Sequence, residues 1–176
     1  MIVTGGIYKG RKIIAPDERY TRPTLSKVRQ GVFNTLFSLI GDFEGKTFLD
    51  LFGGSGIMGI EALSRGFEEV LVFEKNINVA KILKKNYLAL GLKENLIIGN
   101  SLNLLKKIDK TFDVIYIDPP YYSGIYDEIF KILNSSINSN SLIIIEHCEN
   151  LNIEFFEILK EKIYGDKKIS FISKKK

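Results

Sequence analysis

The sequence predicts one doubly wound α/β domain, a parallel sheet covered by helices on both faces. Three observations carry this. Short Val/Ile/Leu/Phe runs alternate with helix-period segments from residue 47 onward, glycines stop the helices, and 176 residues suffice for a single substantial core.

Taken in order, Ile2–Thr4, the Gly5-Gly6 turn signal and Arg11–Ala15 predict a short N-terminal hairpin. Residues 16–23 read as an irregular basic loop. Thr24 or Ser26 then caps a helix whose apolar face is Val28, Val32, Phe33, Leu36, Phe37 and Ile40, and Gly41 stops it. Strands are predicted at 47–51, 70–74, 96–98, 114–118 and 142–146, and helices at 57–65, 79–90, 102–108 and 126–133. The last stretch admits two readings. Phe155, Ile158, Leu159 and Lys162 suit a helix, whereas Gly165-Asp166 and the alternation over 168–172 suit a hairpin. We adopt the hairpin, over 156–173, giving a seven-stranded sheet with an antiparallel end. Residues 1–40 form a basic extension of the same domain, whose body is 41–176.

Composition bounds the chemistry. No apolar run approaches the roughly 20 residues of a membrane span, and the first residues lack the build of a signal peptide. A single cysteine, Cys148, cannot make an internal disulfide, and no Cys/His cluster is placed to hold zinc. These features predict a cytoplasmic, metal-free protein, and we expect a monomer. The net charge of +4 is unevenly spread. Residues 1–30 carry +5 and residues 159–176 another +5, which leaves the middle acidic. The last three lysines, 174–176, read as solvated. The arginine-rich N-terminal segment reads as a phosphate contact, because the planar guanidinium fork suits phosphate oxygens.

Asp50-Leu51-Phe52-Gly53-Gly54-Ser55-Gly56 follows the first strand of the parallel sheet and opens a helix. Glycines there let a ligand lie against bare backbone. Glu74 ends the next strand, where a carboxylate can accept both hydroxyls of a ribose. Together they predict a nucleoside cofactor. Gly54, Gly56 and Gly59 also satisfy G-x-G-x-x-G, which alone is weak evidence. Asp50 tilts the reading away from NAD, since a carboxylate suits the ammonium of a methionine moiety and repels a pyrophosphate. Asn100, after the third strand, could contact an adenine amino group or simply cap the next helix.

Asp118-Pro119-Pro120-Tyr121 ends the fourth strand, at the sheet edge where such folds bind ligands. An exocyclic amine on a base is a poor nucleophile, its lone pair delocalised into the ring. A carboxylate (Asp118) and a carbonyl (Pro119) accepting its two N–H bonds would free that lone pair. Two prolines stiffen the loop, and Tyr121 offers a face on which the base can stack. His147 and Cys148 lack a catalytic partner and read as packing; Tyr122 and Tyr126 either border the pocket or pack.

These residues resemble the bacterial 16S ribosomal RNA guanine-N2 methyltransferases over nearly the whole chain. The likeness runs through Gly5-Gly6 with Lys9-Gly10-Arg11-Lys12, Arg22-Pro23-Thr24 with Val28-Arg29, and Phe33-Asn34. It continues in the 50–59 loop, Glu61-Ala62-Leu63-Ser64-Arg65-Gly66, Glu74, Asp118–Tyr121 and Tyr164-Gly165. The resemblance implies a Rossmann-like class I methyltransferase sheet. It implies S-adenosylmethionine held by Asp50, Phe52, Gly53, Gly54, Ser55, Gly56, Glu74, Asn100 and Ser101. It implies a guanine N2 of 16S rRNA, within an assembling small subunit, as the methyl acceptor. Asp118, Pro119 and Tyr121 would grip and stack the base, and Lys9, Arg11, Lys12, Arg22 and Arg29 would touch RNA. Gly53 stands where many relatives carry alanine, and Asn100-Ser101 replaces a commoner acidic pair. The alternatives are an N6-adenine or N4-cytosine DNA methyltransferase, for whose recognition region the chain leaves no room, and a non-catalytic RNA-binding assembly protein on the same scaffold. An NAD-dependent oxidoreductase is a further one.

Overall fold

The computed structural model describes residues 1–17, 25–120, 124–136, 140–148 and 150–175. The predicted loop's Arg22, the alternative cap Thr24, and Tyr121 and Tyr122 lie outside these.

The chain runs α1 (Ser26–Ile40), β1 (Thr47–Asp50), α2 (Ile57–Ser64), β2 (Glu69–Glu74), α3 (Ile77–Ala89), β3 (Leu96–Ile98), α4 (Ser101–Leu105), β4 (Val114–Ile117), α5 (Tyr126–Ser136), β5 (Leu142–His147), β6 (Phe156–Tyr164) and β7 (Lys167–Lys174). The sheet has seven strands in the order β3-β2-β1-β4-β5-β7-β6. β1 to β5 are parallel, and the β6–β7 hairpin joins β5 antiparallel. The doubly wound sheet with its antiparallel end is the architecture the alternation predicts. No helix among the described residues is long and apolar enough to cross a membrane.

Strand order reverses between β1 and β4, so the crevice at their carboxyl ends is the natural ligand site. β4 and β5 are buried along their whole length, as strands covered on both faces must be. One core lies under α1, α2 and α3 and includes Val32, Phe33, Phe48, Leu83 and Tyr116. The other lies under α4 and α5 and includes Leu49, Ile115, Ile129, Phe130 and Ile145.

Two helix details depart from the sequence reading. α1 starts after Leu25 with no side-chain cap bond; the Ser26 hydroxyl accepts a bond from Arg29 instead. Phe37 is 56 % exposed, off the apolar face it was assigned to, and meets Phe43 edge to face. The glycine inside α1 has a packing cause, because a Cβ on Gly31 would collide with the Tyr164 hydroxyl. That contact seats the β6–β7 turn against α1. The predicted N-terminal hairpin closes on a single antiparallel bridge, Ile2 to Lys12, with Val3 N–H donating to the Arg11 carbonyl at 3.0 Å.

Candidate active site

Side chains alternate faces along a strand. Register therefore decides which strand-end groups can meet. Phe48 and Asp50 on β1, Val72 and Glu74 on β2, Tyr116 and Asp118 on and just after β4, and Ile144 and Glu146 on β5 all point to the α1–α3 face. Four strand ends thus bring a row of carboxylates to the crevice where the strand order reverses.

Asp50 is buried, and Oδ1 accepts the Phe52 N–H at 3.1 Å. Burial pushes its carboxyl up to about 7, opposed by the Phe52 bond and reinforced by the charges of Glu74 and Glu146. A buried acid in that range is completed by an arriving cation. Glu74 accepts the Gly54 N–H at 2.9 Å on Oε2 and the Asn76 N–H at 2.7 Å on Oε1. Each oxygen retains a lone pair, so the carboxylate can still take two hydroxyls. The arrangement fits a molecule bearing an ammonium and a vicinal diol.

Three glycines at this turn have a packing role beside the one the sequence suggested. Cβ atoms at Gly53 and Gly59 would collide with Val72 and with the Tyr87 hydroxyl, and one at Gly56 would sit 2.8 Å from Leu83 Cγ. Their missing Cβ atoms let the chain here press onto β2 and α3. An alanine at 53 would require Val72 to give way. Gly54 and Gly56 additionally adopt positive φ, 53° and 79°, at the turn into α2. The turn is braced from α3, where the buried Asn86 donates to the Ser55 carbonyl at 2.9 Å. Ser55 Oγ accepts the Ile57 N–H, and Phe52 is half-buried beside the α4 face.

Asn100 caps α4, its side chain accepting the Asn103 N–H at 3.1 Å. The Ser101 hydroxyl turns inward to the Leu51 carbonyl at 2.5 Å, tying α4 to the start of the 51–56 loop. Pro119 is buried, and the Asp118 side chain is 24 % exposed. Sequence reasoning missed what flanks it. The Glu146 side chain is wholly buried; it accepts a hydrogen bond from the Tyr116 hydroxyl and another at 2.9 Å from Lys167, whose ammonium also lies 3.9 Å from Asp118. The signal available in sequence was the glutamate at the fifth strand's end, in step with Asp50, Glu74 and Asp118.

Residues 1–173 match the family model described as Conserved hypothetical protein 95. The chain belongs to that family. It is 38% identical over 158 residues to the Ribosomal RNA small subunit methyltransferase D of Buchnera aphidicola, covering 86% of this chain and 80% of that one. It is 33% identical over 173 residues to the protein of the same name from Haemophilus influenzae, covering 93% and 88%. Among solved structures, a candidate methyltransferase of Escherichia coli superposes with a TM-score of 0.86 at 25% identity, covering 99% of this chain and 97% of that one. The fold is the Rossmann-like sheet of class I methyltransferases.

The family's basic N-terminal segment divides sharply in this chain. Lys9, Arg11 and Lys12 are exposed and free to face a polyanion. Arg29 is not a surface contact, contrary to expectation. It is 1 % exposed, and Nε pairs with Glu61 at 3.2 Å while Nη2 donates to the Ile2 carbonyl at 2.6 Å. A guanidinium sealed between the N-terminal strand and α2 has no donor to offer RNA. Arg65 pairs with the same Glu61 and reaches Thr4 Oγ1 at 3.0 Å. Gly5-Gly6, read as a turn signal, is also an interface: the Ser64 hydroxyl donates to the Gly5 carbonyl, and a Cβ on Gly6 would collide with the Ser64 carbonyl. His147 hydrogen-bonds Ser170 at 2.9 Å, Cys148 is exposed, and the Tyr126 hydroxyl donates to the Glu146 carbonyl at 2.8 Å.

Proposed function

We propose that this chain methylates the exocyclic N2 of a guanine in 16S rRNA of the small ribosomal subunit, with S-adenosylmethionine as donor. The observation that carries the reading is the shared face of Asp50, Glu74 and Asp118 at the crevice between β1 and β4. The names of the relatives support ribosomal RNA of the small subunit as the target class, and the family resemblance supports the guanine amine.

Asp50 would hold the donor's ammonium, Glu74 its ribose hydroxyls, and the 52–56 backbone its flank. When bound, S-adenosylmethionine supplies an electrophilic methyl, the S–C bond breaking as the N–C bond forms while the nitrogen gives up one proton. The chain's own residues position the amine and shape its electrons. The Asp118 carboxylate accepts one amine N–H and the Pro119 carbonyl the other, which localises the lone pair on nitrogen. Tyr121 stacks on a base taken out of its helix. Lys9, Arg11, Lys12 and Arg22 meet phosphates, so binding weakens with salt.

The test is transfer of labelled methyl from S-adenosylmethionine to partly assembled small subunits, followed by mass spectrometry of the nucleosides. N2-methylguanosine is the expected product. Methylated adenine or cytosine in DNA, or no transfer at all, would overturn the assignment.

Asp50 makes the donor site pH-dependent. With its carboxyl near 7 in the empty protein, half the sites are neutral at that pH and must ionise to pair with an ammonium. Donor affinity should therefore rise about fivefold from pH 6 to pH 7. Calorimetry should find that rise in the parent and a flat, weaker profile in Asp50→Asn; a parent profile flat over this range removes Asp50 from the ammonium site.

A further inference from the structure

We propose that Lys167 is a positioning residue that keeps Asp118 ionised and aimed into the crevice by bridging it to the buried Glu146. The β6–β7 turn delivers this lysine. Gly165 takes a positive φ of 66°, Tyr164 pairs with Lys167 across the hairpin, and Tyr164 anchors the turn against Gly31 of α1. Lys167 thus begins β7 on the face shared by the strand-end carboxylates, and its ammonium lies 2.9 Å from Glu146 Oε2 and 3.9 Å from Asp118 Oδ1.

The physical need for it is plain from its surroundings. Asp118 follows β4, Glu146 ends β5 and Asp50 ends β1, three acids within electrostatic reach of one buried phenol, Tyr116, whose ionisation all three oppose together with burial. From α5, the Tyr126 hydroxyl donates to the Glu146 carbonyl at 2.8 Å. Each carboxylate raises the cost of ionising its neighbours, and a cation beside Asp118 offsets that cost and favours its charged form. A protonated Asp118 would donate a hydrogen bond where the amine needs an acceptor. Glu146 is gripped on its other oxygen by Tyr116 and is fixed in place. Lys167 therefore has one rigid anchor and one adjustable partner, the geometry of a positioning device rather than a surface ion pair.

The kinetic arm of the test rests on the methyl-transfer reading; a second arm does not. Carboxyl-carbon NMR of the full chain should show Asp118 titrating at higher pH in Lys167→Met than in the parent, by about one pH unit or more. Lys167→Arg should restore the parent value. In methyl transfer, Lys167→Met should lower kcat on the order of 10- to 100-fold near neutral pH, regain rate as pH rises, and leave donor Kd within about twofold. If Lys167→Met does not fold, Glu146→Gln, which removes a competing negative charge, should move the Asp118 titration to lower pH. An unmoved Asp118 titration in either variant overturns the proposal, as does a kcat loss in Lys167→Met that is identical at every pH. A parent that transfers no methyl while the Asp118 titration moves as described sinks the proposed function and leaves the Lys167 role standing.

Discussion

Asp118→Ala should lower the methyl-transfer rate by on the order of 10³-fold or more while changing donor affinity by no more than about twofold. The split follows from where the carboxylate sits. Asp118 stands past the end of β4, on the crevice side of the strand-order reversal, and the groups suited to the donor belong to β1 and β2. Deleting it leaves Asp50, Glu74 and the 52–56 turn intact. On the proposed reading, what is lost is the acceptor for the amine, whose interaction strengthens as the nitrogen becomes tetrahedral, so its loss lowers kcat rather than binding. Asp118→Asn keeps one acceptor oxygen and should be the milder variant. Glu74→Ala should behave oppositely, raising donor Kd on the order of tenfold or more, because it removes both the diol acceptor and the anchor of the Gly54 and Asn76 amides. Single-turnover rates at saturating donor, with calorimetric Kd for each variant, separate the two. Comparable loss of donor affinity in Asp118→Ala and Glu74→Ala would refute the division of labour.

The fold was legible because its signals are local and repeated: apolar strands at regular spacing, glycine stops, and an alternation that only a crossover-connected sheet satisfies. The strand-end positions of Asp50, Glu74 and Asp118 were legible for the same reason, since each closes a run whose length and period are visible; Glu146 closes such a run too and was passed over. What was hidden depends on contacts distant in sequence. Gly31 looks like a weak point in a helix until Tyr164, far along the chain, occupies the space a Cβ would need. That Gly53, Gly56 and Gly59 must also lack Cβ atoms for Val72, Leu83 and Tyr87 to pack is invisible in the sequence. Lys167 looks like one more solvated lysine near a basic terminus until the hairpin turns it toward Asp118. Arg29 was misread because charge in a basic segment says nothing of which side chain is sealed inside; the acid that claims it, Glu61, lies 32 positions away.

That acid should be the most costly residue to lose for stability. Glu61 is 0 % exposed and accepts four bonds: from Thr4 N–H at 2.7 Å, Thr4 Oγ1 at 2.8 Å, Arg29 Nε at 3.2 Å, and Arg65. Its carboxylate is the common counter-charge of two guanidiniums, one 1 % and the other 12 % exposed. Breaking a buried pair leaves a charge without water or partner, and removing one member costs about 3–5 kcal/mol. Glu61→Ala removes the counter-charge that both arginines share and also frees the Thr4 amide, so the effect should reach the upper part of that range. In a chain of this size it corresponds to a fall in Tm of about 10 °C or more. The loss should be local in origin: the segment from Met1 to Lys12 is fastened to α2 through Thr4 and Glu61, Arg29 and the Ile2 carbonyl, and Ser64 with Gly5 and Tyr8. Hydrogen exchange at Val3 and Ile13, whose amides close the N-terminal hairpin, should therefore accelerate before the rest of the sheet does. Glu61→Gln, which keeps an acceptor for Thr4 but not the charge, should fall between parent and alanine variant. A Glu61→Ala protein melting within about 2 °C of the parent would show that the two arginines find other partners, and that the N-terminal segment, with Lys9, Arg11 and Lys12, is held in place by its apolar residues Val3 and Ile13 instead.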